Sequence, residues 1–370
     1  MITLRGVGLA TPLGLGRDAT VDGWVSGGGG LSDAPDGLSA LAPRVGAVPG
    51  FRPRKQLPDR KAVKLMSREA QLLVYAAVEA AGTDPAGTLG IPAERIGGFA
   101  AAGYEVTPLD EVLEMFKASR DPDDPARLSL PRLFSEGRDA YNPLSPLKTL
   151  PNMALFHAAL TLGLRGPHLA LGSSPAAGLA ALTGAVDALV AGTCDAAFVG
   201  GADAQLELFR LHYLEEAGVL AGAAPGEGAA ALLLGEGGAV AIAAGGLGQE
   251  RPSGPLPGEH YSRTGDAKAR EALYSSVVSR GGTPDVVIAD LWGLPLRDRA
   301  ERDAIAAALG GSSAPIFASR PRLGHLGAAH GLVDVALGAA LIERGEADRV
   351  LVTAGGLAGD LGAVVLRRAS

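Results

Sequence analysis

Two stretches of this chain are written to one plan, and that plan constrains the fold more than any other feature. Ala188-Leu-Val-Ala-Gly-Thr-Cys-Asp-Ala-Ala-Phe-Val-Gly-Gly201 and Ala340-Leu-Ile-Glu-Arg-Gly-Glu-Ala-Asp-Arg-Val-Leu-Val-Thr353 each read as a helix end, a glycine stop, an aspartate and an apolar strand. Each follows a small-residue turn and a long helix, and each leads into another strand. The repeat predicts a pseudo-twofold molecule with halves at 1–238 and 239–370 and the axis between two buried helices. The first half carries the longer insertion, 104–150, rich in proline and charge.

Around the repeat, short β-type runs alternate with alanine-rich helical runs, the mark of α/β layering. Strands are expected at 2–10, 96–101, 168–171, 196–201, 229–234, 240–244, 286–291, 315–318, 350–354 and 363–367. Helices are expected at 55–81, 108–117, 152–162, 175–191, 268–280, 298–309 and 328–344. Residues 244–267 carry many Gly and Pro with no period and read as a surface connection. With 47% hydrophobic and 20% charged residues, the 370-residue chain can bury a large core. Its 54 glycines and few aromatics suit helices packed closely on sheets.

Charge narrows the partners. A formal net charge of −7 with no basic stripe argues against a nucleic-acid binder. Cys194 is the only cysteine, so there is no intrachain disulfide and no cysteine-based metal site, which suits a reducing cytosol. Met1-Ile-Thr-Leu-Arg5 runs straight into a strand without the look of a signal peptide. The apolar run 176–191 is too short to span a bilayer and contains Asp187. The expectation is a cytoplasmic protein without membrane contact.

The chemistry-bearing segment is Leu169-Ala-Leu-Gly-Ser-Ser-Pro-Ala-Ala-Gly-Leu-Ala-Ala-Leu182: a strand, a small-residue turn and a helix opening at Pro175. Many acyl-transfer enzymes hold a nucleophile in such a turn, facing the positive end of the helix. Proline offers neither a nucleophilic side chain nor an N–H.

Several motifs together resemble the β-ketoacyl synthases of the thiolase superfamily, which condense an acyl thioester with a malonyl unit on an acyl carrier protein. They are Gly6-Val-Gly-Leu-Ala-Thr-Pro-Leu-Gly14, Pro151-Asn-Met-Ala154, Gly163-Leu-Arg-Gly-Pro167, Asp195-Ala-Ala-Phe-Val-Gly-Gly-Ala-Asp203, Pro225-Gly-Glu-Gly-Ala-Ala-Ala-Leu232 and Gly324-His-Leu-Gly-Ala-Ala-His-Gly331. They cover nearly the whole chain in order. The resemblance implies a thiolase fold, two pseudo-twofold halves in an αβαβα arrangement, and no cofactor or metal.

The resemblance also implies a catalytic set of one cysteine, two histidines and a lysine, and most of it is missing. Anchored on Gly178, the cysteine position holds Pro175. Registered on Asp298 and Glu301, the first histidine position holds Asp290. The lysine position holds Arg320, and the Gly-Phe-Gly-Gly loop becomes Gly356-Leu-Ala-Gly359, so only His325 survives. Without a thiolate no acyl-enzyme can form at 175, and one lost oxyanion donor costs about 100-fold or more in rate. Arg320 facing Asp290 would make a structural ion pair. An enzyme of altered chemistry, hydrolysing or decarboxylating thioesters through a serine (Ser173 or Ser174) or through Asp290 and His325, stays open beside this. Small hydroxyls in such turns also serve as caps. His330 reads as a helix-face residue, and His157 and His168 have no metal spacing.

A synthase-like chain with a vestigial centre resembles the chain-length factor, the β-subunit that pairs with an intact ketosynthase in type II polyketide synthases. That implies a heterodimer, an acyl carrier protein as partner, and a role in shaping the product tunnel. Tyr104, Leu109, Leu113, Phe116, Leu133 and Phe134 are the tunnel or interface candidates, although Leu109, Leu113 and Phe116 also fit an ordinary amphipathic helix. The basic cluster Arg52, Arg54, Lys55, Arg60, Lys61 and Lys64 could dock an acidic carrier protein or be a solvated first helical turn.

Overall fold

The computed structural model describes residues 1–103, 109–172, 174–250 and 265–370. Its strands are β1 (Thr3–Thr11), β2 (Gly14–Leu15), β3 (Ser32–Asp33), β4 (Arg44–Val45), β5 (Ile96–Ala102), β6 (His168–Gly172), β7 (Ala196–Ala204), β8 (Glu227–Gly235), β9 (Val240–Gln249), β10 (Val286–Ile288), β11 (Ile316–Phe317), β12 (Arg349–Gly355) and β13 (Asp360–Arg368). Ten of them run in the order β11-β10-β12-β13-β9-β1-β8-β7-β5-β6, with β2 hooked onto β1.

That order is the same from either end. Outermost pairs are parallel (β6–β5–β7 and β11–β10–β12), and the next two contacts inward are antiparallel on both sides. The sides meet where Thr3 and Leu4 of β1 pair with Ala241 and Val240 of β9. The two repeats also close identically. Gly192 and Gly345 take φ of +69° and +76° just past their helices. The residue after each donates back five residues, Thr193 to Ala188 at 3.0 Å and Glu346 to Leu341 at 2.9 Å.

Apolar side chains sort into layers. Helices Ala177–Val190 and His330–Glu343 lie at the centre, between the sheet faces of both sides. Thirteen residues of the latter, 330–342, are buried, as expected for a helix apolar all round. Arg68–Ala81 and Met153–Leu162 cover one outer face, and Ala267–Gly281 with Pro295–Ala308 the other. The result is five layers, αβαβα. Close approach explains Gly6 and Gly8: a Cβ there would stand 1.9 Å from Ala80 O and 2.0 Å from Ala76 O of the covering helix.

Four expectations change. The helix expected over 55–81 is a turn at Pro53–Gln56, a 3₁₀ turn at Ala62–Leu65 and a helix starting only at Arg68. Pro58 interrupts it, and Ser67 Oγ accepts from Ala70 N at 3.2 Å to cap the true start. The basic cluster therefore spans two short turns, with Arg54 and Lys55 in the first, Lys64 in the second, and Arg52, Arg60 and Lys61 on the flanking backbone. Residues 244–249 belong to β9 and not to a surface connection, whose part at 251–264 lies outside the described residues. Helices Arg17–Val25 and Leu208–Glu216 add to the expected set.

Candidate functional site

β6 delivers the chain to the central turn, and helix Ala177–Val190 carries it away. Ser174 stitches the turn together: its carbonyl accepts from Ala177 N at 2.9 Å, and its Oγ accepts from Ala176 N at 3.1 Å while donating to Asp360 Oδ2. The Ser174 hydroxyl thus closes a local turn ahead of the helix, and its partners are Ala176 N and Asp360, not His325. Ser173 lies outside the described residues. Pro175 lines a cavity of about 340 Å³ that also touches His325.

Asp290, two residues past β10, meets Arg320, which opens the short helix Arg320–Leu323, and His325, which follows that helix; all three are buried. Arg320 Nη2 donates to Asp290 Oδ1 at 2.5 Å, and Arg320 Nη1 meets His325 Nδ1. Arg297 Nη2 donates to the other oxygen of Asp290 at 3.1 Å. Asp290 and His325 do not bond each other directly; the guanidinium stands between them. The ring of Trp292 packs against all three partners, with Arg297 and Arg320 at 4.3 and 4.5 Å from its centroid and His325 at 4.7 Å.

The network continues inward. Arg270 Nε donates to Glu250 Oε1 at 2.6 Å, and its Nη1 meets Glu301. Tyr274 Oη donates to Glu301 Oε2 at 2.7 Å, and Thr353 Oγ1 donates to Glu301 Oε1 at 2.5 Å. Three guanidiniums (270, 297, 320) therefore face three carboxylates (250, 290, 301) in the interior. Such a set holds because every charge has a partner; removing one member of a buried pair costs about 3–5 kcal/mol. Sequence reasoning missed Arg270, Arg297, Tyr274 and Trp292. The available signal was Arg270 with Tyr274 and Arg297 with Glu301 at (i, i+4), which puts each pair on one helix face.

The electrostatics favour fixed charges. Burial opposes ionisation of Asp290, but Arg320, then Arg297 and Arg270, outweigh it and hold its pKa below the usual aspartate value. Burial, reinforced by Arg320, pushes His325 well below the usual histidine value, so it is neutral. Because a guanidinium can only donate, His325 Nδ1 is the acceptor and its proton sits on Nε2. The neighbouring His330 is buried too; its Nε2 lies 3.0 Å from Ser319 Oγ and 3.6 Å from Asp334 Oδ2. Burial raises Asp334 to about 7.

Beyond Pro175 and His325, the cavity is lined by Asp203, Gln205, Phe209, Arg210, Tyr213, Leu214, Gly327 and Leu357. Asp203 is buried and paired with Arg210 Nη2 at 2.8 Å. Of these, Asp203, Gly327 and Leu357 stand in motifs the sequence reading singled out, whereas Gln205, Phe209, Arg210, Tyr213 and Leu214 escaped it. The centre thus offers charged groups bound to one another, one neutral imidazole and no thiol.

The other predicted residues lie elsewhere. Leu113, Phe116 and Phe134 are exposed, Phe134 by 72%, so they are not ordinary core. Leu109 and Leu133 are half-buried, and Tyr104 lies outside the described residues. Leu128, Leu130, Leu144, Leu147 and Leu150 are exposed in the same insertion. Phe156, Leu160 and Leu169 are exposed on helix Met153–Leu162 and edge strand β6. Arg52, Arg54, Lys55, Arg60, Lys61 and Lys64 all lie at the surface. His157 is buried, and His168 is exposed with Nδ1 2.7 Å from Gly166 O. No helix among the described residues is long and apolar enough to cross a membrane.

Comparison with known proteins agrees with this architecture. Solved structures of the same fold include one described as "The ishigamide ketosynthase/chain length factor", 22% identical over 100% of this chain and 99% of that one, TM-score 0.72. A β-ketoacyl synthase from Burkholderia phymatum STM815 is 19% identical over 100% and 99%, TM-score 0.78. A type II polyketide synthase complex, AntDE:AntF, described as an acyl-carrier protein with its ketosynthase bound to the hexaketide, is 15% identical over 100% and 99%, TM-score 0.76. At these identities the likeness establishes the fold. No curated protein matches the chain by sequence. The models of the β-ketoacyl synthase N-terminal and C-terminal domains match residues 2–244 and 258–351, so the chain belongs to the β-ketoacyl synthase family.

Proposed function

We propose that this chain is a non-catalytic, cytoplasmic ketosynthase-like subunit of the chain-length-factor type. It pairs with a cysteine-bearing ketosynthase and helps shape the polyketide or fatty acyl chain made on an acyl carrier protein. The observation that carries the reading is the centre itself. Proline occupies the place of the nucleophile, and the first histidine and lysine positions hold Asp290 and Arg320, locked to one another. A condensing enzyme needs a thiolate and free donors there.

The pairing rests on a second feature. Residues 109–172 expose Leu113, Phe116, Leu130, Phe134, Phe156, Leu160 and Leu169, and β6, which carries Leu169, pairs on one side only among the described residues. Exposed apolar side chains in this number favour a partner surface, and an open edge invites pairing with another chain. Within this segment, Leu109, Leu113, Phe116, Leu133 and Phe134 are the side chains proposed to reach the partner or the shared tunnel. The basic group at 52–64 is the proposed contact for the acidic carrier protein, held by long-range attraction that salt screens.

The test is co-expression with an intact ketosynthase encoded beside it. A single eluting species of both chains, active in condensation only together, is the expected result. Separate elution, or condensation by this chain alone, refutes the reading.

A further inference from the structure

Within the insertion a helix runs from Leu130 to Ala140, and it is not regular. Leu130–Arg132 and Arg138–Ala140 are α-helical, but Leu133–Gly137 is a π turn, in which Arg138 N–H reaches back five residues to Leu133 O. Such turns are rare and concentrate at functional positions. Two features of this chain account for it. Ser135 Oγ donates to Pro131 O at 2.9 Å, competing for the carbonyl that an α-helix gives to the Ser135 N–H. Gly137 is the second feature. Its backbone is ordinary helix, φ −64° and ψ −46°, so no special conformation calls for glycine, one of the poorest helix formers. What calls for it is Ser119, just past helix Leu109–Ala118. Ser119 is fully buried, its Oγ donates to Met115 O at 2.6 Å, and a Cβ at 137 would run into that Oγ. Ser119 O also accepts from Ser129 N at 2.9 Å, and Ser129 O accepts from Leu133 N at 2.9 Å, so Ser119 moors the helix at both its start and its wide turn.

This mooring decides where Phe134 points. From 130 to 140 only Gly137 is buried, with Arg132 and Leu133 half-buried, while Leu130 and Phe134 are 65% and 72% exposed. In an α-helix a residue three before Gly137 shares its side, and Phe134 would lie back on its own chain. A π turn takes about one extra residue to close, which swings a preceding side chain round by up to about 100°. Phe134 thereby leaves the Ser119 side and stands in solvent. We propose that Ser119 and Gly137 are positioning residues: their contact keeps the turn wide and holds Phe134 out toward the ketosynthase partner. The inference rests on the pairing proposed above and adds what sets the aim of its most exposed aromatic ring.

The test reads the aim in the full chain alone and the pairing separately. Phe134→Cys places a thiol at the tip, while native Cys194 is buried and supplies the background. Maleimide should label position 134 rapidly, and at least about fivefold more slowly once Gly137→Ala is added. Ser119→Ala, which removes the hydroxyl that the new methyl meets, should bring the rate back to within about twofold. A merely structural Gly137 would move the urea midpoint and not a labelling rate that Ser119→Ala rescues. In chains that keep Phe134, Gly137→Ala should weaken association with the ketosynthase about tenfold, with the same rescue. Should Gly137→Ala fail to fold, Ser135→Ala at the surface carries the test and should slow labelling about twofold or more. Labelling that folded Gly137→Ala or, in its place, Ser135→Ala leaves unchanged overturns the proposal. So do slowed labelling that Ser119→Ala does not restore and association indifferent to Gly137→Ala. A native chain that binds no ketosynthase refutes the pairing instead, and the labelling rates still decide the role of Ser119 and Gly137.

Discussion

Asp334 gives the sharpest physical test of the buried centre. It sits on the central helix, fully enclosed, with Oδ2 3.6 Å from His330 Nε2. Burial is the main reason its pKa rises from the ordinary 3.8 to about 7; hydrogen bonding from Ser319 and the charge of Arg320 pull the other way. The folded protein therefore keeps a proton that the unfolded chain releases. That preference is fully present below the unfolded pKa, erodes as pH rises from about 4 to about 7, and is gone above. A separation of about three units at about 1.4 kcal/mol each makes the whole swing about 4 kcal/mol, of which about 2.6 kcal/mol falls between pH 5 and pH 8. An asparagine at this position would keep the shape and the donor but could not ionise. Asp334→Asn should therefore gain on the native protein by about 2.6 kcal/mol between those pH values, read as the difference of urea-unfolding free energies. His325, whose depressed pKa withdraws stability as pH falls below about 6.5, is present in both proteins and cancels in the difference, while His330, which touches Asp334, is taken out by a second pair of curves in a His330→Gln background. A flat difference curve, or one sloping the other way, refutes the reasoning.

The other predictions concern pairing and charge. Arg320→Met leaves buried Asp290 with Arg297 as its one remaining guanidinium and should cost about 3 kcal/mol; in a double-mutant cycle with Asp290→Leu the two losses should be clearly less than additive, and additive losses would count against a coupled pair. On the proposed reading Pro175→Cys should restore no condensation, because Asp290 and Arg320 remain bound to each other; product in a malonyl-carrier-protein assay would refute that reading. Phe134→Asp should leave the isolated chain's unfolding midpoint within about 1 °C, since the side chain is exposed, yet weaken association with the proposed ketosynthase partner by about 30-fold or more in sedimentation or gel filtration.

The legible and illegible parts of the molecule divide by the range of the physics involved. Gly192 and Gly345 were readable because a helix stop is local: a few residues fix the left-handed turn and its backward bond. The strands flanking them were readable for the same reason. The break at Pro58 and the cap at Ser67 are equally local, but the apolar run that follows masked them. Arg270 and Arg297 left only the faint (i, i+4) spacing to Tyr274 and Glu301, which does not show burial. On their own helices they look like solvated charges, and only the fold brings Glu250 and Glu301 to meet them. Arg320 and Asp290 became conspicuous only by the positions they occupy in a family pattern. Helix Leu208–Glu216, which supplies Phe209, Arg210 and Tyr213 to the cavity, carries mixed polar and apolar residues with no clean stripe and so left no trace.

Among the described residues β6 ends the sheet, pairing only with β5, and its His168, Leu169 and Ala170 are exposed. A strand in that position carries bare amides and carbonyls along its outer margin, next to a run of uncovered leucine and phenylalanine. Synthesised in excess of whatever shields that margin, the polypeptide would stick to itself or be cleared by quality-control proteases. Its steady-state amount in the cell would then track the supply of its companion, a form of stoichiometric control that needs no dedicated regulator.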